Sequence, residues 1–109
     1  YKDLCRYPEK YAGTRIVIKA KVQQIMDASL FSSDKAWRVQ DNEDGYDMYL
    51  GNEFYAVDKR ESGSVKILQD DIVTIYGEFT GTAEITRALT MTKDEIPRVE
   101  VKYADLVDE

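Results

Sequence analysis

Hydrophobic and polar residues alternate along several segments of the chain. The clearest segment is TRIVIKAKVQQIM, where apolar residues recur at every second position from Ile16 to Val22. The residues that this pattern places on the opposite face are Arg15, Val17, Lys19 and Lys21. A period of two over eight residues predicts a β-strand that is buried on one face only.

The segment KAWRVQDNEDGYDMYL predicts two further strands joined as a hairpin. In KAWRVQ the alternation turns Trp37 and Val39 inward; Ala36, Arg38 and Gln40 point outward. In YDMYL it turns Tyr46, Met48 and Leu50 inward; Asp47 and Tyr49 point outward. The polar run DNEDG would connect the strands, with Gly45 free to take a positive φ. A shift of one residue in register would reverse both faces.

The remaining segments differ in how clearly they alternate. GNEFYAVDKRESGSVK shows weak periodicity and is interpreted as a long excursion between strands. ILQDDIVTIYGEFTG predicts a strand, bent at its two glycines, with Ile72, Thr74 and Tyr76 on one face and Val73, Ile75, Gly77 and Phe79 on the other. Tyr76 is expected to pack against the barrel. AEITRALTMT fits a helix or a strand, and its Thr and Ile residues favour a strand. IPRVEVKYADL places Val99, Val101 and Tyr103 on one face.

The first thirteen residues, YKDLCRYPEKYAG, predict a short helix that Pro8 ends and a turn that Gly13 closes. Tyr7 and Tyr11 are expected to pin this helix over the barrel, and the lone Cys5 is expected to be buried. Five to six strands and one helix predict an all-β fold, a small closed barrel, because closure removes exposed strand edges. No linker or composition change divides residues 1–109, so we expect one domain.

Composition narrows the function classes. The chain has 21 Asp and Glu against 15 Lys and Arg, a net charge of -6, which disfavours general attraction to phosphate backbones. It has no histidine, so the Ser-His-Asp and Cys-His arrangements and the usual zinc sites are excluded. The DNEDG run lacks the ligand spacing of an EF-hand calcium loop. We therefore expect neither an enzyme nor a bound cofactor or metal, and no segment is apolar for the roughly 18 residues of a membrane span.

Two segments carry a resemblance to a known family. ILQDDIVTIYGEFTG resembles the fourth-strand signature of OB-fold barrels, and DLCRYPEKYAGTRIVIKAKV resembles the entry to the first strand in a group of bacterial extracytoplasmic OB-fold domains. That group is loosely described as tRNA-anticodon-binding-like. The resemblance implies a five-stranded OB-fold Greek-key barrel with a short N-terminal helix, in a secreted or lipid-anchored protein. Its motifs are structural rather than catalytic.

In OB barrels the outer face of the first three strands is the usual ligand surface. The alternation predicts that five polar side chains point outward there: Lys19, Lys21, Arg38, Gln40 and Tyr49. A solvated exterior is the simplest interpretation of these residues. As a function we predict a non-catalytic binding module for a protein or a small anionic ligand. The alternative is a module that binds single-stranded nucleic acid through Lys19, Lys21, Arg38 and Tyr49.

Overall fold

In a computed structural model, which describes residues 2–26, 35–42, 49, 51–61, 64–87 and 90–107, the chain forms a closed five-stranded β-barrel. Two short helices, α1 (Lys2–Arg6) and α2 (Pro8–Tyr11), precede the strands. The strands are β1 (Arg15–Met26), β2 (Ala36–Asp41), β3 (Glu53–Asp58), β4 (Ile72–Arg87) and β5 (Thr92–Leu106). Their order around the barrel is β1-β2-β3-β5-β4, and only β3 and β5 pair in parallel. The prediction of an OB-fold-like, all-β barrel is confirmed.

The barrel core is built from residues of all five strands. Ile18, Ala20 and Val22 of β1 are buried, and Trp37 and Val39 of β2 lie beside them. The other strands add Phe54, Ala56, Val73, Ile75, Val99 and Val101. The partly buried Leu4 of α1 packs against this cluster. The inward faces predicted for β1 and for Trp37 and Val39 are therefore confirmed, whereas Ala36, predicted to point outward, is buried.

The N-terminal region differs from its prediction at Pro8. The first helix ends at Arg6, before Pro8, as predicted, but Pro8 then begins a second helix, α2, because the first turn of a helix does not need the backbone N–H that proline lacks. Lys10 lies 6.0 Å from the ring centre of Tyr7 and 5.4 Å from that of Tyr11. Tyr7 is exposed, so it does not pin the helix as expected. Cys5 is partly buried.

The third strand lies later in the chain than predicted. β3 is Glu53–Asp58, inside the segment interpreted as a long excursion. Ala56 and Val57 are neighbours and are both buried, so β3 lacks the strict period of two that would predict a strand. Asp41 and Asn52 close the connection: the backbone N–H of Asn52 donates to Asp41 Oδ1 at 2.8 Å. Of the predicted strand YDMYL, only Tyr49 lies within the described residues.

A β-bulge changes the outer face of β5. Tyr76 pairs with Tyr103 but the next residue, Gly77, pairs with Val101, so Lys102 is an extra residue in β5. An extra residue reverses the alternation beyond it. Tyr103, predicted to share a face with Val99 and Val101, is therefore exposed, whereas both valines are buried. The prediction that Tyr76 packs into the barrel is also wrong, since its side chain lies on the outside of β4.

The fourth and fifth strands continue together to the far end of their hairpin. β4 has 16 residues and β5 has 15, and their pairing extends to Arg87 and Thr92. The part of AEITRALTMT that lies in β4 is thus a strand, as its Thr and Ile residues favoured. The connection between the two strands includes residues outside those described.

Candidate binding surface

Four of the five predicted site residues lie on the outside of the barrel. Lys21 is opposite Gln40, and Arg38 is opposite Gln24, across the β1–β2 pairing. Lys19 is opposite Thr74 of β4, and Lys21 is also opposite Ile72 of that strand. Lys19 is exposed, and Lys21, Arg38 and Gln40 are half-buried. These four side chains are thus spread over the β1–β2 and β1–β4 pairings.

Three of these side chains are engaged by their own chain. Arg38 donates from Nη1 to Glu53 Oε2 at 3.0 Å, and the Arg38 side chain is only 26% exposed. Gln40 donates from Nε2 to the backbone oxygen of Gly51 at 3.2 Å. Lys21 Nζ lies 4.0 Å from Asp70 Oδ1. A ligand at this face would have to compete with these contacts, which is a cost in binding free energy.

Tyr49 is not part of the outer face. It lies outside β3, has a φ of 56°, and is 1% exposed. Its backbone oxygen accepts a hydrogen bond from Gln23 Nε2 at 3.1 Å. The prediction that Tyr49 points outward is therefore wrong, and the predicted face loses the aromatic ring that was expected to stack on a ligand.

A different outer face carries exposed aromatic side chains. Val17 of β1 is opposite Tyr76 of β4, and Tyr76 is opposite Tyr103 of β5. These three side chains, which we call the aromatic row, cross three adjacent strands. They are 65%, 38% and 72% exposed, respectively. Adjacent exposed apolar groups on a folded domain are a mark of an interaction surface.

Charged residues flank the aromatic row on both sides. The register places Arg15, Glu78 and Glu100 in one flanking row, and Lys19, Thr74 and Asp105 in the other. The β1 positions of both rows are thus cationic and the β5 positions are carboxylates. Lys102, the bulge residue, is exposed beside them. Glu78 and Glu100 are like charges on directly opposed positions, which is an unfavourable cross-strand pair.

Arg60 anchors the segment that follows β3, next to the aromatic row. Its Nε lies 3.0 Å from Asp58 Oδ1 and its Nη2 3.2 Å from Asp58 Oδ2, a two-pronged pair. Its Nη1 donates to the backbone oxygen of Val65 at 2.8 Å. The guanidinium also lies 5.1 Å from the ring centre of Trp37, and only 8% of the Arg60 side chain is exposed.

Two open clefts adjoin this anchor. One, of about 510 Å³, is lined by residues that include Lys35, Trp37, Arg60 and Lys66. The other, of about 330 Å³, is lined by residues that include Arg60, Val65, Lys102 and Tyr103. Because the second cleft reaches Tyr103, the aromatic row continues into a concave region.

Neither a metal-binding cluster among the described residues nor a related protein assigns a function to these surfaces. Among the described residues, no group of three His, Cys, Asp or Glu side chains could hold a metal ion. The described helices include none long and apolar enough to cross a membrane. The chain matches no protein-family model, no curated protein and no solved structure.

Proposed function

We propose that the chain is a non-catalytic binding module that binds another polypeptide on the outer face of β1, β4 and β5. The observation that supports this most directly is the aromatic row, in which Val17, Tyr76 and Tyr103 are exposed side by side. Tyrosine is enriched in protein interfaces because its ring gives apolar contact area and its hydroxyl gives a polar contact. Flanking charges of both signs suit a protein partner, whose surface also carries both signs.

The proposed setting is an OB-fold module of a bacterial secreted or cell-envelope protein. Support for it comes from the YPEKYAG turn and the YGEFTG segment, together with the strand order β1-β2-β3-β5-β4. The same fold carries many unrelated functions, so the setting does not determine the partner. For that reason the proposal rests on the exposed side chains rather than on the barrel.

Single-stranded nucleic acid is the second candidate ligand. Tyr76 and Tyr103 could stack on bases, and Lys19 and Lys102 lie close enough along the strands to contact phosphates. Against it, Glu78, Glu100 and Asp105 surround the same tyrosines, and the whole chain has a net charge of -6. Repulsion between these carboxylates and phosphates favours the polypeptide.

A peptide selection tests the proposal. A phage-displayed library of random peptides is selected on the immobilised chain, and enriched clones are remeasured on Tyr76→Thr/Tyr103→Thr. We expect clones whose affinity falls at least about tenfold on this variant, because its two central contacts are lost. Tyr7→Thr, which removes an exposed tyrosine outside the aromatic row, is the control and should bind as the wild type does.

Two results would contradict the proposal. The first is a selection that yields no clone dependent on Tyr76 and Tyr103. The second is binding of a labelled oligothymidylate near ~50 mM salt that weakens as salt rises and is lost in the same double variant. That second result would identify single-stranded nucleic acid, rather than a polypeptide, as the ligand of this face.

A further inference from the structure

We propose that the polypeptide bound at this face is a second copy of the chain, so that two barrels meet through their aromatic rows. This inference rests on the proposed function and names its partner. A symmetric pair of this kind uses the same patch on both copies, so each contact between two different positions occurs twice. The patch must therefore be complementary to itself in shape and charge.

The aromatic row is complementary to itself about one particular axis. If a two-fold axis runs parallel to the strands above β4, each copy's β1 lies over the partner's β5. Val17 then meets the partner's Tyr103, and Tyr76 meets its own counterpart. An aromatic ring against a β-branched side chain and a ring against a ring are both favourable apolar contacts.

The flanking charges are complementary about the same axis. Lys19 meets the partner's Asp105, and Arg15 meets the partner's Glu100, because each flanking row has a cation on β1 and a carboxylate on β5. With the symmetric copies, this gives four contacts between opposite charges. Glu78 lies on β4, the strand below the axis, and therefore faces Glu78 of the partner subunit. Within each copy, Arg15 lies opposite Glu78 across the β1–β4 pairing.

The same arrangement would reduce the repulsion between two carboxylates within each chain. Glu78 and Glu100 are directly opposed on β4 and β5, and a partner's Arg15 placed over Glu100 would offset their repulsion. The outer surface of a barrel is convex, so two such faces bury less area than flat ones. We therefore expect a weak dimer that dissociates on dilution.

Charge reversal tests this dimer. Sedimentation velocity is measured from about 10 µM to about 500 µM, a range that covers weak association, for wild type, Lys19→Glu, Asp105→Lys and the double variant. Each single variant places like charges together at two equivalent contacts, so the dissociation constant should rise at least about tenfold. The double variant restores opposite charges and should return close to the wild-type value. Lys66→Glu, the same change at an exposed lysine outside this face, should have no effect.

The outcomes separate this inference from the proposed function. A wild type that stays monomeric throughout, or a dimer that neither single variant weakens, would overturn the second copy as the partner. Peptide clones that depend on Tyr76 and Tyr103 would then still support a different polypeptide. If the clones are also absent, both proposals fail. Weakening by each single variant and recovery in the double variant would support the dimer.

Discussion

The two outer faces that share β1 differ in what their side chains contact. On the side of β2 and β3, Arg38 and Gln40 donate hydrogen bonds to a carboxylate and to a backbone oxygen of the same chain, and Lys21 lies 4.0 Å from Asp70 Oδ1. On the side of β4 and β5, Tyr76 and Tyr103 lie exposed among charges of both signs. Polar residue type alone would rank the first face higher as a ligand surface. The contacts within the chain reverse that ranking, because a side chain that already has a partner must give up that contact before it can bind a ligand.

The largest effect on stability is expected at Gly77 of β4, which lies at the bulge beneath the face of β4 and β5. A Cβ on Gly77 would overlap the backbone oxygen of Glu100 and lie 2.8 Å from Val99 Cγ1. Gly77→Ala should therefore lower the free energy of unfolding by about 3 kcal/mol or more, as overpacking against backbone does. Thr74→Ala, on the outer face of the same strand, is the control. Urea unfolding measures both, and equal small losses would show that β4 and β5 do not approach this closely.

The next effect is expected at Arg60, whose segment adjoins Tyr103. Arg60→Ala leaves Asp58 without its two-pronged partner and Val65 without a donor to its backbone oxygen. We expect the free energy of unfolding to fall by about 2 kcal/mol, less than for a fully buried pair because 22% of the Asp58 side chain is exposed.

Arg60→Lys sharpens this test, because a lysine cannot make the two-pronged contact. It should recover less than half of the loss measured by urea unfolding. Full recovery would mean that Arg60 contributes only its charge, contrary to the geometry of its contacts.

Sequence patterns were most informative where one strand keeps a strict alternation. In β1 the inward positions Ile18, Ala20 and Val22 are all buried, and the outward Arg15, Val17 and Lys19 are all exposed. The pattern was least informative for β3, where two neighbouring residues are both buried, and its position was therefore missed. Its parallel pairing with β5 brings together segments about forty residues apart, which periodicity within one segment does not report.

The candidate site could be predicted only in part, for a physical reason. Tyr103 was placed on the face of Val99 and Val101 because the alternation was continued through Lys102, and a single extra residue reverses every position beyond it. The signal that could have revealed the bulge is Gly77, since a glycine inside a strand often marks a bulge or a close backbone approach. The role of Arg60 depends on contacts with Trp37 and Val65, which a one-dimensional pattern does not contain.

A smaller effect is expected on the face that sequence patterns favoured. Arg38→Ala should lower the free energy of unfolding by about 1 kcal/mol, because the Arg38–Glu53 pair is mostly shielded from water. A double-mutant cycle with Glu53→Gln isolates the pair, and we expect a coupling energy of about 0.5–1 kcal/mol. Binding of the row-dependent peptides should not change. If Arg38→Ala abolishes that binding without affecting stability, the β1–β2 side is the ligand surface.

The smallest stability effect is expected at Tyr103, and Val101, on the other side of the bulge, is its reference. Val101 is fully buried and Tyr103 is 72% exposed, although a strict alternation would place them on one face. Val101→Thr should lower the free energy of unfolding by about 1–2 kcal/mol, because it buries a hydroxyl. Tyr103→Thr should change it by less than about 0.5 kcal/mol, as expected for an exposed position that receives a good strand former. If Tyr103→Thr costs as much as Val101→Thr in urea unfolding, Tyr103 belongs to the core and the aromatic row does not exist.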